Sequence, residues 1–293
     1  MIRVAQPNDY PALAQWIVQM SRVPEQHCLH SWSGESSDAL CRQFLSYLEA
    51  SEFLYLIAFQ GHEMVGAMGS EYDDELGRGW LHGPHVTAEG WEVVASELFP
   101  RLLEELPASI TQLEAYLNVE NVRGRRFYAE RGFEERDHLS YDYWLMPAHR
   151  VVEGDKSCAP LEKEDQASFV RLYEAIFPTG YYSGERILKM IGSSHQVFTV
   201  VQGREAVGFA VVSVDESLST GEIQFLGVRE DCRGQGCGRR LLMSATDWLV
   251  KEAQVSRVCL NVGEDVANAR GLYESVGFTL RFTGVGLSKT LSG

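Results

Sequence analysis

The chain has 293 residues, 45% hydrophobic and 23% charged, with 41 acidic against 26 basic side chains and a formal net charge of −15. That balance repels phosphate backbones and excludes a general nucleic-acid binder; the composition is that of a folded globular chain, and no apolar run reaches the ~18 residues of a membrane span. Two domains of near-equal size are expected from the length. Met1 to Ala5 runs directly into polar sequence without the apolar stretch of a secretory signal, so the expected address is the cytoplasm, with neither membrane nor nucleic acid as partner. Six cysteines (Cys28, Cys41, Cys158, Cys232, Cys237, Cys259) form no CxxC pair, which argues against a disulfide framework or a zinc ribbon and predicts reduced thiols.

Along the chain, "QPNDYPAL" (6–13) sets Asp9 ahead of an apolar helical pattern, as an N-cap would stand. Residues 28–38 read as an inserted loop. Phe53 to Phe59 is strand-like, and "FQGHEMVGA" (59–67) reads as a hairpin turning at Gln60-Gly61. "GWLHGPHV" (79–86) is the next strand, and Val94, Leu98, Leu102 and Leu106 give a helix from Trp91 to Leu106. "LNVENVRGRRFYAERGF" (117–133) then reads as strand, helix and a Tyr-x-x-x-Gly-Phe passage.

The second half repeats this order. "LEKEDQASF" (161–169) offers Asp165 as a cap; "VQGREAVGF" (201–209) shares Gln, Gly, Glu, Val and Gly in register with 59–67; "LNVGEDVANARGLYESVGF" (260–278) matches 117–133 with two extra residues. A duplicated fold is predicted, residues 1–146 and 147–293 with a link around Pro147-Ala148-His149-Arg150. Each copy runs strand, helices, three strands, helix, strand, helix, strand, an α/β mixed sheet flanked by helices.

Between "GEIQFLGV" (221–228), a strand by its alternation, and the helical spacing of Leu241, Leu242, Ala245, Trp248 and Leu249 lies "DCRGQGCGRRLL" (231–242). The helix is expected to begin at Arg239. At such a strand-to-helix turn backbone N–H groups can point at an anion, and missing Cβ atoms at Gly234, Gly236 and Gly238 let it approach. Neither the P-loop ending Gly-Lys-Ser/Thr nor the dinucleotide GxGxxG fits Gly238-Arg239-Arg240.

The remaining pattern, R-x-x-G-x-G over Arg233, Gly234, Gln235, Gly236, Cys237 and Gly238, resembles the coenzyme A pyrophosphate loop of the GNAT N-acetyltransferase superfamily, as do the preceding "FLGV" strand and the Leu272-Tyr273-Glu274-x-x-Gly277-Phe278 passage. The resemblance covers nearly all of the second copy. It implies a tandem GNAT protein whose copies are mixed, mostly antiparallel sheets with splayed fourth and fifth strands. It further implies acetyl-CoA as co-substrate, its pantetheine along Leu226, Gly227 and Val228 and its diphosphate over Arg233 to Arg239, and no metal. The implied reaction moves an acetyl group to a primary amine of a small molecule or peptide within a ternary complex.

An amine of pKa about 10.4 is free base in roughly one molecule in 2,500 at pH 7, so a proton acceptor is needed. The resemblance assigns that role to Glu222, with Glu264 and Asp265 as alternative carboxylates, and assigns Tyr273 as the acid facing the departing thiolate. The Leu226 amide is the expected oxyanion donor. The family often sets an asparagine seven residues before the tyrosine; Val266 stands there, leaving Asn261 and Asn268 as substitutes. "HCLH" (27–30) is too tightly spaced for a usual zinc site, and Cys237 occupies a variable loop position, so neither is expected to carry chemistry.

In the first copy the corresponding loop, "TAEGWE" (87–92), has one glycine, two carboxylates and no arginine, whereas Asn121 and Tyr128 keep the seven-residue spacing. The first copy is therefore read as a retained fold with a degenerate cofactor loop. A second hypothesis of a different class is a non-catalytic acyl-CoA-binding sensor or interaction module.

Overall fold

The two Gln-Gly hairpins set the frame. Gly61 and Gly203 take φ of +64° and +68°, values open to glycine without strain, and each begins a two-residue turn joining antiparallel strands. The computed structural model describes residues 1–31, 36–49, 52–87, 89–136, 138–147, 154–155, 158–178, 180, 182–192, 194–216, 218–264 and 269–291.

The chain divides into two units, Met1–Ser140 with Thr283–Gly293, and Tyr141–Phe282. The first carries β1 (Ile2–Val4), α1 (Tyr10–Met20), α2 (Ser37–Glu49), β2 (Phe53–Gln60), β3 (Glu63–Asp73), β4 (Arg78–Val86), α3 (Trp91–Glu105), β5 (Gln112–Asn118), α4 (Val122–Ala129) and β6 (Glu134–Glu135). The chain then enters β7 (Ser140–Leu145), β8 (Ala159–Pro160), α5 (Gln166–Ile176), α6 (Gly184–Met190), β9 (His195–Gln202), β10 (Glu205–Asp215), β11 (Thr220–Val228), α7 (Cys237–Lys251), β12 (Arg257–Gly263), α8 (Arg270–Val276) and β13 (Thr279–Thr290). The element order is the predicted one in both halves.

In the first unit the strand order is β1-β2-β3-β4-β5, with residues 284–290 of β13 antiparallel to β5; β4 and β5 are parallel. The second unit runs β8-β9-β10-β11-β12-β7, with β11 and β12 parallel. Helices cover both faces. Leu98, Leu102 and Phe127 pack over one face of the first sheet and Leu13, Ile17 and Phe44 over the other. Leu241, Leu249 and Tyr273 cover one face of the second, Phe169 and Tyr173 the other.

The units do not divide at 146/147. Tyr143 and Leu145 are buried in the second unit's core, whereas Val285 and Leu287 are buried in the first unit's. Both strands end equivalent repeats and carry the same alternation, so either sheet can accept either strand; sequence similarity marks the repeat, and hydrogen bonding decides the unit. The linker residues Ala148, His149 and Arg150 lie outside the described residues.

Two further expectations change. Asp9 and Asp165 precede their helices without a side-chain cap. Asp9 instead accepts from the Arg3 guanidinium at 2.6 and 2.8 Å and from the Gln6 amide at 2.7 Å, and beside Arg3 its carboxyl falls to about 2. Helix α7 begins at Cys237, two residues before the expected start, with Gly236 as its N-cap in the left-handed conformation.

Candidate active site

In each unit the parallel pair separates soon after it forms. β11 meets β12 only at Thr220↔Arg257, Gly221↔Val258 and Glu222↔Cys259, leaving residues 223–228 unpaired on that side. The Arg229 amide donates to the Val207 carbonyl on β10 at 2.9 Å. Strand alternation therefore turns the peptide groups of Leu226 and Val228 away from β10, into the wedge that β12 vacates. Gly227 faces the other way, and a Cβ there would come within 2.8 Å of the Phe209 ring.

The glycine loop closes this wedge at one end. Gly234 and Gly236 have φ of +75° and +79°, and a Cβ on either would meet nothing within 4 Å. The first backbone bond of the α7 turn runs from the Arg240 amide to the Gly236 carbonyl, 3.1 Å. Among the described residues nothing accepts from the amides of residues 234–239. Gly238 behaves differently: its φ is ordinary, and a Cβ would make plain contact with Leu272 at 3.4 Å and Val228 at 3.8 Å. Two of the three glycines thus keep the loop open to an anion, and the third serves helix packing.

Side chains frame the loop. The Arg233 Nε donates to the Val228 carbonyl at 3.1 Å, and the Gln235 amide group to the Asp231 carbonyl at 3.1 Å. Arg229 grips Asp231 with two bonds, holding that carboxyl below its usual range and offsetting its charge beside the loop. A cavity of about 390 Å³ opens at the start of α7, lined by Gly154, Asp155, Gly236, Arg239, Arg240 and Met243. Unpaired amides at a helix start, two guanidinium groups and space without protein atoms together fit a diphosphate. Cys237 is buried, its sulfur accepting from Arg240 at 3.1 Å.

Glu222 lies on β11 in register with Cys259, on the sheet face opposite Ile223. The surrounding protein raises its carboxyl above the ordinary range, while Gln224 and Ser213 pull it back; Ser213 Oγ lies 3.5 Å from Oε2. Its side chain still reaches solvent, so it stands in an open recess. Burial and then Glu222 push the neighbouring Cys259 thiol up to about 12, which keeps it neutral. Tyr273 is 8% exposed, its ring 5.7 Å from that of Tyr143, and burial followed by Tyr143 pushes its phenol up to about 12. Its hydroxyl has no partner among the described residues. Asn261 is exposed on β12 beyond the last paired residue, and Glu264 follows that strand; Asp265, Val266 and Asn268 fall outside the described residues.

The first unit holds the same positions with other chemistry. Gly66↔Val86 and Gly208↔Val228 fix one register, so Pro84 stands where Leu226 does and Trp80 where Glu222 does. Pro84 has no N–H to give. The turn into α3 spans residues 87–90 against 229–236 in the second unit. The Tyr128 hydroxyl is fully buried and donates to the Gly83 carbonyl at 2.7 Å. Asn121 caps α4 by accepting from Gly124 at 2.9 Å and donates to the His27 carbonyl at 3.1 Å, a structural use. The "HCLH" residues are likewise engaged: His27 with the Ser21 carbonyl at 2.8 Å, His30 with the Leu81 carbonyl at 3.1 Å. No group of three His, Cys, Asp or Glu side chains gathers for a metal among the described residues. No helix there is long and apolar enough to cross a membrane.

Residues missed by sequence reasoning are Tyr143, Ser213 and Arg240; Tyr143 and Ser213 meet α8 and Glu222 from other strands, which no spacing marks, and Arg240 stands beyond the end of the loop pattern. Glu71, also missed, sits opposite Trp80 on β3, and burial with Glu52 nearby raises its carboxyl to about 7.

Residues 161–278 match the model of the acetyltransferase (GNAT) family. This segment is a GNAT domain. Similar solved structures extend over the whole chain: the GCN5-related N-acetyltransferase from Sphaerobacter thermophilus (TM-score 0.69, 18% identity, 99% of this chain and 95% of that one); the tandem GNAT protein from the clavulanic acid biosynthesis pathway (0.61, 13%, 100% and 99%); and the GNAT-family acetyltransferase from Colwellia psychrerythraea (0.58, 12%, 99% and 100%). At these identities the likeness is one of fold, and with the repeated strand order it describes two GNAT-like units. No curated protein matches the chain in sequence.

Proposed function

We propose that the chain transfers an acetyl group from acetyl-CoA to a primary amine of a small molecule or peptide, through a ternary complex formed in the second unit. The carrying observation is the contrast between two equivalent phenols: among the described residues the Tyr273 hydroxyl has no partner, whereas the Tyr128 hydroxyl is bonded to Gly83. Acetyl-CoA supplies the activated acyl group as a thioester. The amides of residues 234–239 with Arg239 and Arg240 would hold its diphosphate, and the wedge-facing peptides of Leu226 and Val228 its pantetheine arm.

Glu222 takes the proton of the incoming ammonium. Its raised pKa brings it nearer the working pH, which strengthens it as a base. Leu226 directs its amide at the carbonyl oxygen as charge develops there, a contribution of about 3 kcal/mol with good geometry. Tyr273 stays protonated up to about pH 12 and so has a proton to give the departing sulfur. The first unit has a proline at the oxyanion position, a tryptophan at the base position and a turn too short for a diphosphate, which supports a non-catalytic role.

The test is thiol release from acetyl-CoA across a panel of amino acids, polyamines, aminoglycosides and peptides. Tyr273→Phe should lower turnover by roughly 10²-fold or more with coenzyme A affinity unchanged. Tight coenzyme A binding with no release against any amine would favour the sensor reading instead.

A further inference from the structure

Tyr143 belongs to the repeat that ends the first half of the sequence, yet it is fully buried in the second unit, against the tyrosine on which the proposed reaction depends. Its ring lies 5.7 Å from the Tyr273 ring. Its hydroxyl joins two residues of α8 at once, accepting from Arg270 Nε at 3.0 Å and donating to Glu274 Oε1 at 3.2 Å. The Arg270 guanidinium also lies 4.5 Å from the centre of the Tyr141 ring, on the same strand. Arg270 and Glu274 stand one helical turn apart and bracket Tyr273 in a helix of only seven residues.

A helix that short has little stability of its own, so its rotation about its axis must come from tertiary contacts. Two charged side chains meeting on one buried hydroxyl fix that rotation, and hydrogen bonds to charged groups are the strong kind. Rotation of α8 is what aims the Tyr273 phenol. The first unit solves the same problem differently: Tyr128 is held by its own hydroxyl on Gly83, an arrangement that would consume the proton donor in the second unit.

We propose that Tyr143 is a positioning residue for Tyr273, its ring setting the phenol's plane and its hydroxyl clamping α8 through Arg270 and Glu274. This rests on the reading of Tyr273 as the acid. It also makes β7 part of the second unit's working site, although the sequence repeat ascribes that strand to the first copy.

The experiment is a double-mutant cycle in the full chain, read as kcat and KM for acetyl-CoA with the fastest amine of the panel. Tyr143→Leu should lower kcat about tenfold, a typical cost for a catalytic group set slightly out of place, with KM for acetyl-CoA within about twofold. Tyr143→Phe, which keeps the ring and drops the hydroxyl, should recover part of that loss. In a Tyr273→Phe chain, Tyr143→Leu should cost nothing further, because the group it aims is gone. Multiplicative losses in the double variant would overturn the proposal while leaving Tyr273 in its role. An unimpaired Tyr273→Phe enzyme would remove the role itself, and the proposal with it. Amide exchange gives a readout free of turnover: Tyr143→Phe should speed exchange of residues 270–276 by tenfold or more and leave α7 unmoved, and unchanged exchange would overturn the clamp.

Discussion

Replacing Gly236 and Gly238 separately by alanine should have opposite effects, although the two look alike in sequence. At Gly236 the backbone has φ +79° and ψ 0°, and a new Cβ would touch no protein atom within 4 Å. The steric cost is therefore purely conformational, about 1–2 kcal/mol for an L-residue in the left-handed region. The methyl would also stand in the space an anion needs. Loss of one charge-assisted hydrogen bond there is worth about 1.5–3 kcal/mol, or roughly 10- to 100-fold in coenzyme A affinity. At Gly238 φ is ordinary and the Cβ would rest against Leu272 at 3.4 Å and Val228 at 3.8 Å. Removing a glycine from the first turn of α7 there should stabilise the fold by about 0.5–1 kcal/mol and leave the cradle amides in place. Thermal unfolding without ligand and calorimetric titration with coenzyme A read the two terms independently. If Gly238→Ala weakens coenzyme A as much as Gly236→Ala does, or if Gly236→Ala leaves both stability and affinity unchanged, the anion is not held where the open amides are.

Ser213→Ala removes a donor from the Glu222 carboxylate, so the Glu222 pKa rises further and the acid limb of the kcat/KM profile should move to higher pH; a limb that stays in place would detach Glu222 from the rate. Tyr128→Phe leaves the Gly83 carbonyl without its 2.7 Å bond and should cost about 1–2 kcal/mol in chemical denaturation with no change in turnover. Glu71 binds its proton more tightly folded, near pH 7, than unfolded, near 4.5. Its contribution is thus fully present below about 4.5 and lost as pH rises through 7, by up to about 3 kcal/mol, so Glu71→Gln should be the more stable protein at pH 8 and match the parent at pH 4.5.

Much of this site could be read from the sequence because its parts are backbone features with a fixed composition. A left-handed N-cap needs glycine, so Gly236 announces itself. A hairpin turn needs the same, so Gly61 and Gly203 align the repeats. What could not be read are the choices made by a third partner. Asp9 precedes a helix as a cap would, but Arg3 on β1 competes for it with two bonds, and the paired guanidinium prevails. Gly238 is indistinguishable from its neighbours until Leu272 arrives from α8. The final strands of the two repeats carry interchangeable patterns, so no periodicity could say that Tyr143 would pack on Tyr273 rather than in the unit of its own repeat.

The two units also explain why one fold can hold two fates at once. Four changes separate them, and on the proposed reading each removes a different requirement for acyl transfer: the short turn 87–90 the anion cradle, Pro84 the oxyanion amide, Trp80 the base, and the Tyr128–Gly83 bond the free phenol. Among the described residues Tyr128 is better satisfied than Tyr273, and the Trp91 ring packs edge-on to Phe127 at 5.5 Å behind the shortened turn. Among its described residues the second unit keeps unpaired amides, a solvent-open carboxylate held above its ordinary pKa and an unpartnered hydroxyl, all of which oppose stability. A duplicated chain can therefore keep these particular groups in one copy and give them up in the other, and on the proposed reading Tyr143, from the strand that ends the first repeat, is where the second site draws on that repeat for its order.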